Sequence, residues 1–196
     1  MKVLSVKLTF LEEVLGTASA DPEIYATYVG SNAPDAASLE QEIEAIGVDG
    51  VIEKGTTVFP VDEDGNPIFW DYQIKGFFKD ACGMLSRVKT TQSSKIRAYK
   101  KVIDGLIFVS PRKIKIHLAG EIESCQRPLR AQTAQGERVA LANSEAIPAG
   151  SSIEFDIIML DEAHEKQVRE WLDYGQLRGL GQWRNSGKGR FSWEEI

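Results

Sequence analysis

The chain has few of the residues that build metal centres and disulfide scaffolds: 196 residues hold two cysteines, Cys82 and Cys125, and two histidines, His117 and His164. Their spacing matches no zinc motif, and a reducing cytoplasm is a simpler expectation than a disulfide. No apolar run approaches the roughly 18 residues of a membrane span. Ala18-Ser19-Ala20 looks like a signal-peptidase site, but Lys7, Glu12 and Glu13 interrupt the apolar stretch before it, so no secretory leader is expected. A Walker loop is missing as well, because Lys188 is followed by Gly189 rather than by Ser or Thr. Positive charge is short overall: a net charge of −6 excludes a uniformly basic nucleic-acid binder, though not a basic face on an acidic body. These absences predict a cytoplasmic protein with no cofactor, no metal and no membrane partner.

What is present is ordinary in amount and uneven in placement. Hydrophobic residues make up 42% and charged residues 27%, which suits one soluble domain over 1–196. Residues 1–72 carry a net charge of −11, residues 73–138 of +9 and residues 139–196 of −4. The middle of the chain is therefore strongly basic.

Val3 to Phe10 alternates, with Leu4, Val6, Leu8 and Phe10 on one face, the period of a half-buried strand. Asp21-Pro22 and Pro34-Asp35 each open a short helix, the second with Leu39, Ile43 and Ile46 inward and Glu40, Glu42 and Glu44 outward. Asp62 to Pro67 is a turn, followed by a helix from Trp70 to Leu85 with Ile74, Phe77, Phe78, Ala81 and Leu85 inward. The acids of that turn do not make a calcium loop, since Gly65 falls too early and the closing glutamate is absent. A basic helix is predicted over Ser93 to Ile103, burying Ile96, Tyr99 and Ile103 and showing Lys95, Arg97, Lys100 and Lys101. Strands follow at Leu106–Val109 and Arg112–Leu118, where Arg112, Lys113 and Lys115 read as a solvated strand edge. A hairpin or extended excursion covers 124–150, with Arg127, Arg130 and Arg138. Ser152–Leu160 is a strand, Asp161–Tyr174 a helix stopped by Gly175, and Phe191–Trp193 a closing strand. Without the insertions the order is strand, helix, strands, helix, strand, an α+β fold with helices on one face of an antiparallel sheet.

Chemistry concentrates between Gly179 and Phe191, where glycines alternate with Arg184, Lys188 and Arg190 around Trp183. Glycine lets backbone amides approach a phosphate, the bases supply charge and the indole a stacking surface. The stretch from Val61 to Phe78, with Gly65, Pro67, Lys75 and Gly76, resembles the G-x-P, apolar pair, S-x-x-K-G helix start of the RAMP superfamily, the RNA-binding backbone subunits of CRISPR effector complexes. Gly179 to Phe191 resembles the C-terminal glycine-rich loop of the same superfamily, in the right order.

The resemblance implies a ferredoxin-like core of the RNA-recognition-motif kind, with an acidic helical insertion at about 17–58 and a basic helix and thumb-like hairpin at about 87–150. It implies single-stranded RNA along a basic face, with Lys75, Gly76 and Lys79 at the helix start. Gly179, Gly181, Trp183, Arg184, Gly187, Lys188, Gly189 and Arg190 would lie in the loop, Lys95, Arg97, Lys100 and Lys101 on the basic helix, and Arg127 and Arg130 in the thumb. Asp71 or Tyr72 replaces the usual serine, and an acid there would repel phosphate. The glycine-rich segment that precedes the catalytic aspartate of cleaving members is absent, with Asp21 the nearest acid, so no RNA cleavage is expected.

Three functions compete on these residues. The first is non-catalytic binding of RNA or another single-stranded nucleic acid, as a repeating subunit whose partners include copies of itself or other CRISPR subunits. The second is a phage or mobile-element protein that inhibits or mimics a CRISPR complex through its acidic first third. The third, ranked last, is a nuclease using Asp62, Asp64 and Asp71 with a metal, or a histidine.

Overall fold

The computed structural model describes residues 1–19, 56–133 and 136–196, the side chains of 129–133 and 136–141 excepted. The two helices predicted at Asp21 and Pro34, with Glu40, Glu42 and Glu44, lie outside the described residues. In chain order the elements are β1 (Lys2–Phe10), β2 (Val14–Leu15), β3 (Ala18–Ser19), β4 (Thr57–Val58), β5 (Ile68–Trp70), α1 (Asp71–Leu85), α2 (Tyr99–Leu106), β6 (Ile107–Ser110), β7 (Lys113–His117), β8 (Glu123–Thr133), β9 (Gly136–Ile147), β10 (Ser152–Met159), α3 (Glu165–Arg178) and β11 (Phe191–Glu195).

The main sheet runs β11-β1-β10-β7-β5, with β6 also on β10, and every pairing in it is antiparallel. Its alternation sets the core: Leu4, Val6, Leu8 and Phe10 of β1 and Ile153, Phe155, Ile157 and Met159 of β10 are all buried. Ile74, Phe77, Phe78, Ala81 and Cys82 of α1 and Val168, Trp171 and Leu172 of α3 close over them in the same cluster. The Phe78 and Trp171 rings meet at 5.5 Å, joining the two helices. A second sheet, β2-β9-β4-β3 with β8 on β9, carries the long hairpin. Both cysteines are free. No helix among the described residues is long and apolar enough to cross a membrane.

Four elements differ from their sequence reading. Trp70 belongs to β5 rather than to the helix; its backbone N–H donates to the Gln73 side chain at 2.7 Å, and α1 starts one residue later. The helix predicted over Ser93 to Ile103 is broken into a 3-10 turn at Ser93–Lys95, an extended Ile96 and a left-handed Ala98 (φ 50°), after which α2 begins at Tyr99. The second long helix runs past Gly175 to Arg178. Gly175 is buried within it because a Cβ there would lie 2.1 Å from the Phe191 ring, so the glycine allows a close approach of β11 rather than a stop. Finally, β7 is no edge: it lies between β10 and β5, with Lys115 opposite Ile68 and Lys113 opposite Trp70.

Candidate nucleic-acid interface

The glycine-rich loop leaves α3 at Gly179 (φ 78°) and returns at Gly189 (φ 72°), where the two arms touch backbone to backbone. The Leu180 N–H donates to the Gly189 carbonyl at 2.8 Å, and a Cβ on Gly189 would fall 1.8 Å from the Leu180 oxygen. Only glycine fits there. Gly181 and Gly187 also turn through positive φ, and so does Trp183 at 53°. The returning arm docks on the chain just after β1, through Gly189 N–H to the Glu13 carbonyl (2.9 Å) and Leu11 N–H to the Arg190 carbonyl (2.7 Å).

Each loop cation faces a carboxylate. Lys188 pairs with Glu13, Arg190 with Glu12 at 2.8 Å, and Arg184 with Asp80 of α1 at 2.7 Å. Arg178, in the last turn of α3, reaches the same Asp80 oxygen at 2.9 Å. Burial pushes the Asp80 carboxyl up, but the hydrogen bond from Arg178 and the charges of Arg184 and Arg178 outweigh it and hold the group below its ordinary value.

At the start of α1 the lysines are also engaged. Lys75 donates to the Asp104 carbonyl at 3.1 Å and lies 4.9 Å from the Phe108 ring, and Lys79 pairs with the Asp104 carboxylate at 2.6 Å. Gly76 is exposed, and a Cβ there would meet open space. It shares a cleft with Gly181 and Arg184, so the structure brings the helix start and the glycine-rich loop together. In the hairpin, Arg127 is buried at 7% exposure, donates to Gln182 at 2.8 Å and lies 5.1 Å from the Trp183 ring. Arg130 stands opposite Val139 in the β8–β9 ladder, and its side chain lies outside the described set.

The segment 86–103 is different. It holds six cations, Arg87, Lys89, Lys95, Arg97, Lys100 and Lys101, and no acid. All six are exposed, and none has an ion pair among the described residues; Lys95 donates to Gln92 at 2.9 Å. The segment is nonetheless well anchored. Glu170 of α3 accepts from the backbone N–H of Gln92 (2.7 Å) and of Ser93 (2.9 Å) and from the Ser93 hydroxyl (2.5 Å). The buried Trp171 indole donates to that hydroxyl at 2.9 Å. These bonds give acceptors to the first amides of the 3-10 turn, which no intrahelical carbonyl can reach.

Sequence reasoning missed Asp80, Arg178, Gln182, Asn185 and Glu170. None carries a local motif; the position of Arg178 in the last turn before the glycine-rich loop is the one available hint. Two acids of the 62–67 turn are engaged: Asp62 accepts from the backbone of Asp64 and Asn66 and from the Asn66 amide, and Glu63 pairs with Lys113 of β7. Among the described residues no group of three or more His, Cys, Asp or Glu is placed to hold a metal ion.

No family model matches the chain, and no curated protein matches it. Solved structures do. A chain in the cryo-EM structure of the Type III-B Cmr-beta bound to cognate target RNA matches with a TM-score of 0.55 and 14% identity, over 99% of this chain and 60% of that one. A chain of a Type IV-B CRISPR complex matches with a TM-score of 0.47 and 12% identity, over 100% of this chain and 90% of the other. The protein thus spans 60% of the length of the Cmr-beta chain, less than two thirds, and at such identity the likeness is one of fold.

Proposed function

We propose that this chain is a non-catalytic binder of single-stranded RNA, or of another single-stranded nucleic acid, and that segment 86–103 is its main contact with the phosphate backbone. The observation that carries this is the set of six exposed cations with no carboxylate partner among the described residues, held on a network of the buried Ser93 and Trp171 with the half-buried Glu170. Unpaired surface cations are what a phosphate chain engages, because contact releases counterions without first breaking an ion pair. The fold likeness to a chain from a complex bound to target RNA supports the kind of partner. The order β11-β1-β10 with β6 and β7 beyond, and α1 and α3 over one core, supports a ferredoxin-like reading and the RAMP resemblance. On that reading the protein works as a subunit, with copies of itself or other CRISPR subunits beside it.

In this proposal Lys188 and Arg190 hold the glycine-rich loop to the chain after β1, while Arg184 and Trp183 remain at a cleft that opens to solvent. The test is fluorescence anisotropy of a labelled single-stranded oligouridylate against salt concentration. Reversing Arg97, Lys100 and Lys101 to Glu should flatten the plot of log K against log salt by about 2, at roughly 0.7 per lost phosphate contact. An unchanged slope overturns the assignment. A protein that binds no strand at low salt overturns the function and leaves the acidic-surface inhibitor standing.

A further inference from the structure

Two clefts meet at Gly181 and Arg184. The first, floored by Phe69, Phe77 and Leu180, runs toward Gly76; the second is lined by Arg178, Gln182, Trp183 and Asn185. Charge is unbalanced around the second. One carboxylate, Asp80, serves both Arg178 and Arg184. A third guanidinium, Arg127, is buried; among the described residues it has a single hydrogen bond, to the neutral Gln182 amide, and its Nε and Nη1 have no partner. Among the described residues that leaves an excess of two positive charges beside a half-exposed indole. Arg127 lies 5.1 Å over the Trp183 ring, and Trp183 is still 41% exposed, from a left-handed backbone. The Asn185 oxygen accepts from Arg178 at 2.7 Å, and its amide nitrogen has no bond among the described residues.

From this geometry we infer that the Arg178–Trp183–Asn185 cleft is a single-nucleotide subsite: one nucleobase stacks on Trp183, whose ring then lies between the base and Arg127, and the adjoining phosphate sits against Arg178 and Arg184. The inference rests on the nucleic-acid reading above and adds to it a place where a base, rather than the backbone alone, is held. The two contributions have different physics. Stacking on an indole is tolerant of sequence and insensitive to salt, and a cation behind the ring strengthens the arrangement. The unpaired Asn185 amide can donate to an acceptor on the edge of the stacked base.

The test compares two probes of equal length, a labelled oligoadenylate and an abasic ribose-phosphate strand, on the full chain and on Trp183→Gly and Trp183→Phe. Glycine suits the positive φ, so the first variant removes the ring without straining the loop. The expected result is a loss of about 10-fold in oligoadenylate affinity for Trp183→Gly, with the abasic strand and the salt slope unchanged. Tryptophan fluorescence should quench as oligoadenylate binds the native chain and not when it binds Trp183→Phe. Because that variant keeps an aromatic ring, the fluorescence arm stands even if the glycine variant folds poorly. If both variants bind and quench as the native chain does, the subsite is overturned while the nucleic-acid reading survives. If the native chain binds neither probe, both fall.

Discussion

Two stretches of this protein look alike on paper and differ in space. The glycine-rich loop and segment 86–103 are each dense in Arg and Lys, yet the loop's cations face Glu12, Glu13 and Asp80, while those of the segment are exposed with no ion pair among the described residues. A paired cation must give up its carboxylate before it can take a phosphate; an unpaired one gives up only water and counterions. The loop therefore spends most of its charge on its own shape, while the segment's charge is left exposed to solvent. Positive charge counted along a sequence does not measure positive charge on offer.

The comparison can be broken most forcefully at Gly189. Placing a Cβ 1.8 Å from the Leu180 oxygen at a φ of 72° should cost about 3 kcal/mol or more in Gly189→Ala, read by urea melting. Strand affinity, measured where both proteins are folded, should fall by no more than the roughly 10-fold that loss of the Trp183 subsite gives; a fall as large as that from reversing the 86–103 cations would erase the distinction between the two regions. Next in size is the reversal of Arg97, Lys100 and Lys101 to Glu, expected to weaken strand binding on the order of 100-fold at low salt while leaving the melting temperature within about 2 °C. Neutralising Lys188 and Arg190 to Gln should do the opposite, costing up to about 1 kcal/mol of stability and less than about threefold in affinity.

Glu170→Ala probes the anchor of the segment. It strips the acceptor from two backbone amides and the Ser93 hydroxyl, with an expected loss of about 2 kcal/mol, and faster amide exchange at Gln92 and Ser93 should accompany a weaker grip on the strand. The smallest effect is with pH. Asp80 titrates below its ordinary value of 3.8 in the folded chain, so its contribution is complete above that value and is lost as pH falls through the lower folded one. Asp80→Asn should flatten the acid limb of the stability curve, and a limb of the same steepness would show that the two arginines gain nothing from the shared carboxylate.

Much of the fold could be read in advance because its determinants are local. The alternation in Leu4 to Phe10 and in Ile153 to Met159, the helical spacing of Ile74, Phe77, Phe78 and Ala81, and the basic hairpin all lie where pattern places them. What was hidden depends on long-range contacts. The two-residue strands β2, β3 and β4 carry no periodicity to detect. The left-handed Ala98 that separates the 3-10 turn from α2 carries no local signal, and the Glu170 carboxylate that anchors Ser93 comes from more than 70 residues away. For the candidate site, the residue types were legible and their availability was not: Lys188 looks free until Glu13, 175 positions earlier, is folded against it. Gly175 shows the same thing in reverse, a residue that reads as a stop and serves as room for Phe191.

The small ladder between β3 and β4 has a meaning of its own. Ala18 pairs with Val58 and Ser19 with Thr57, so the chain departs into residues 20–55 and comes back through adjacent strands. The framework thus closes that excursion at a two-residue clasp, and by loop-closure entropy each doubling of what the clasp encloses costs only about 0.6 kcal/mol. The clasp acts as a port: a stretch of different length between β3 and β4 would change the stability of the framework only slightly, because its two ends are already fixed side by side.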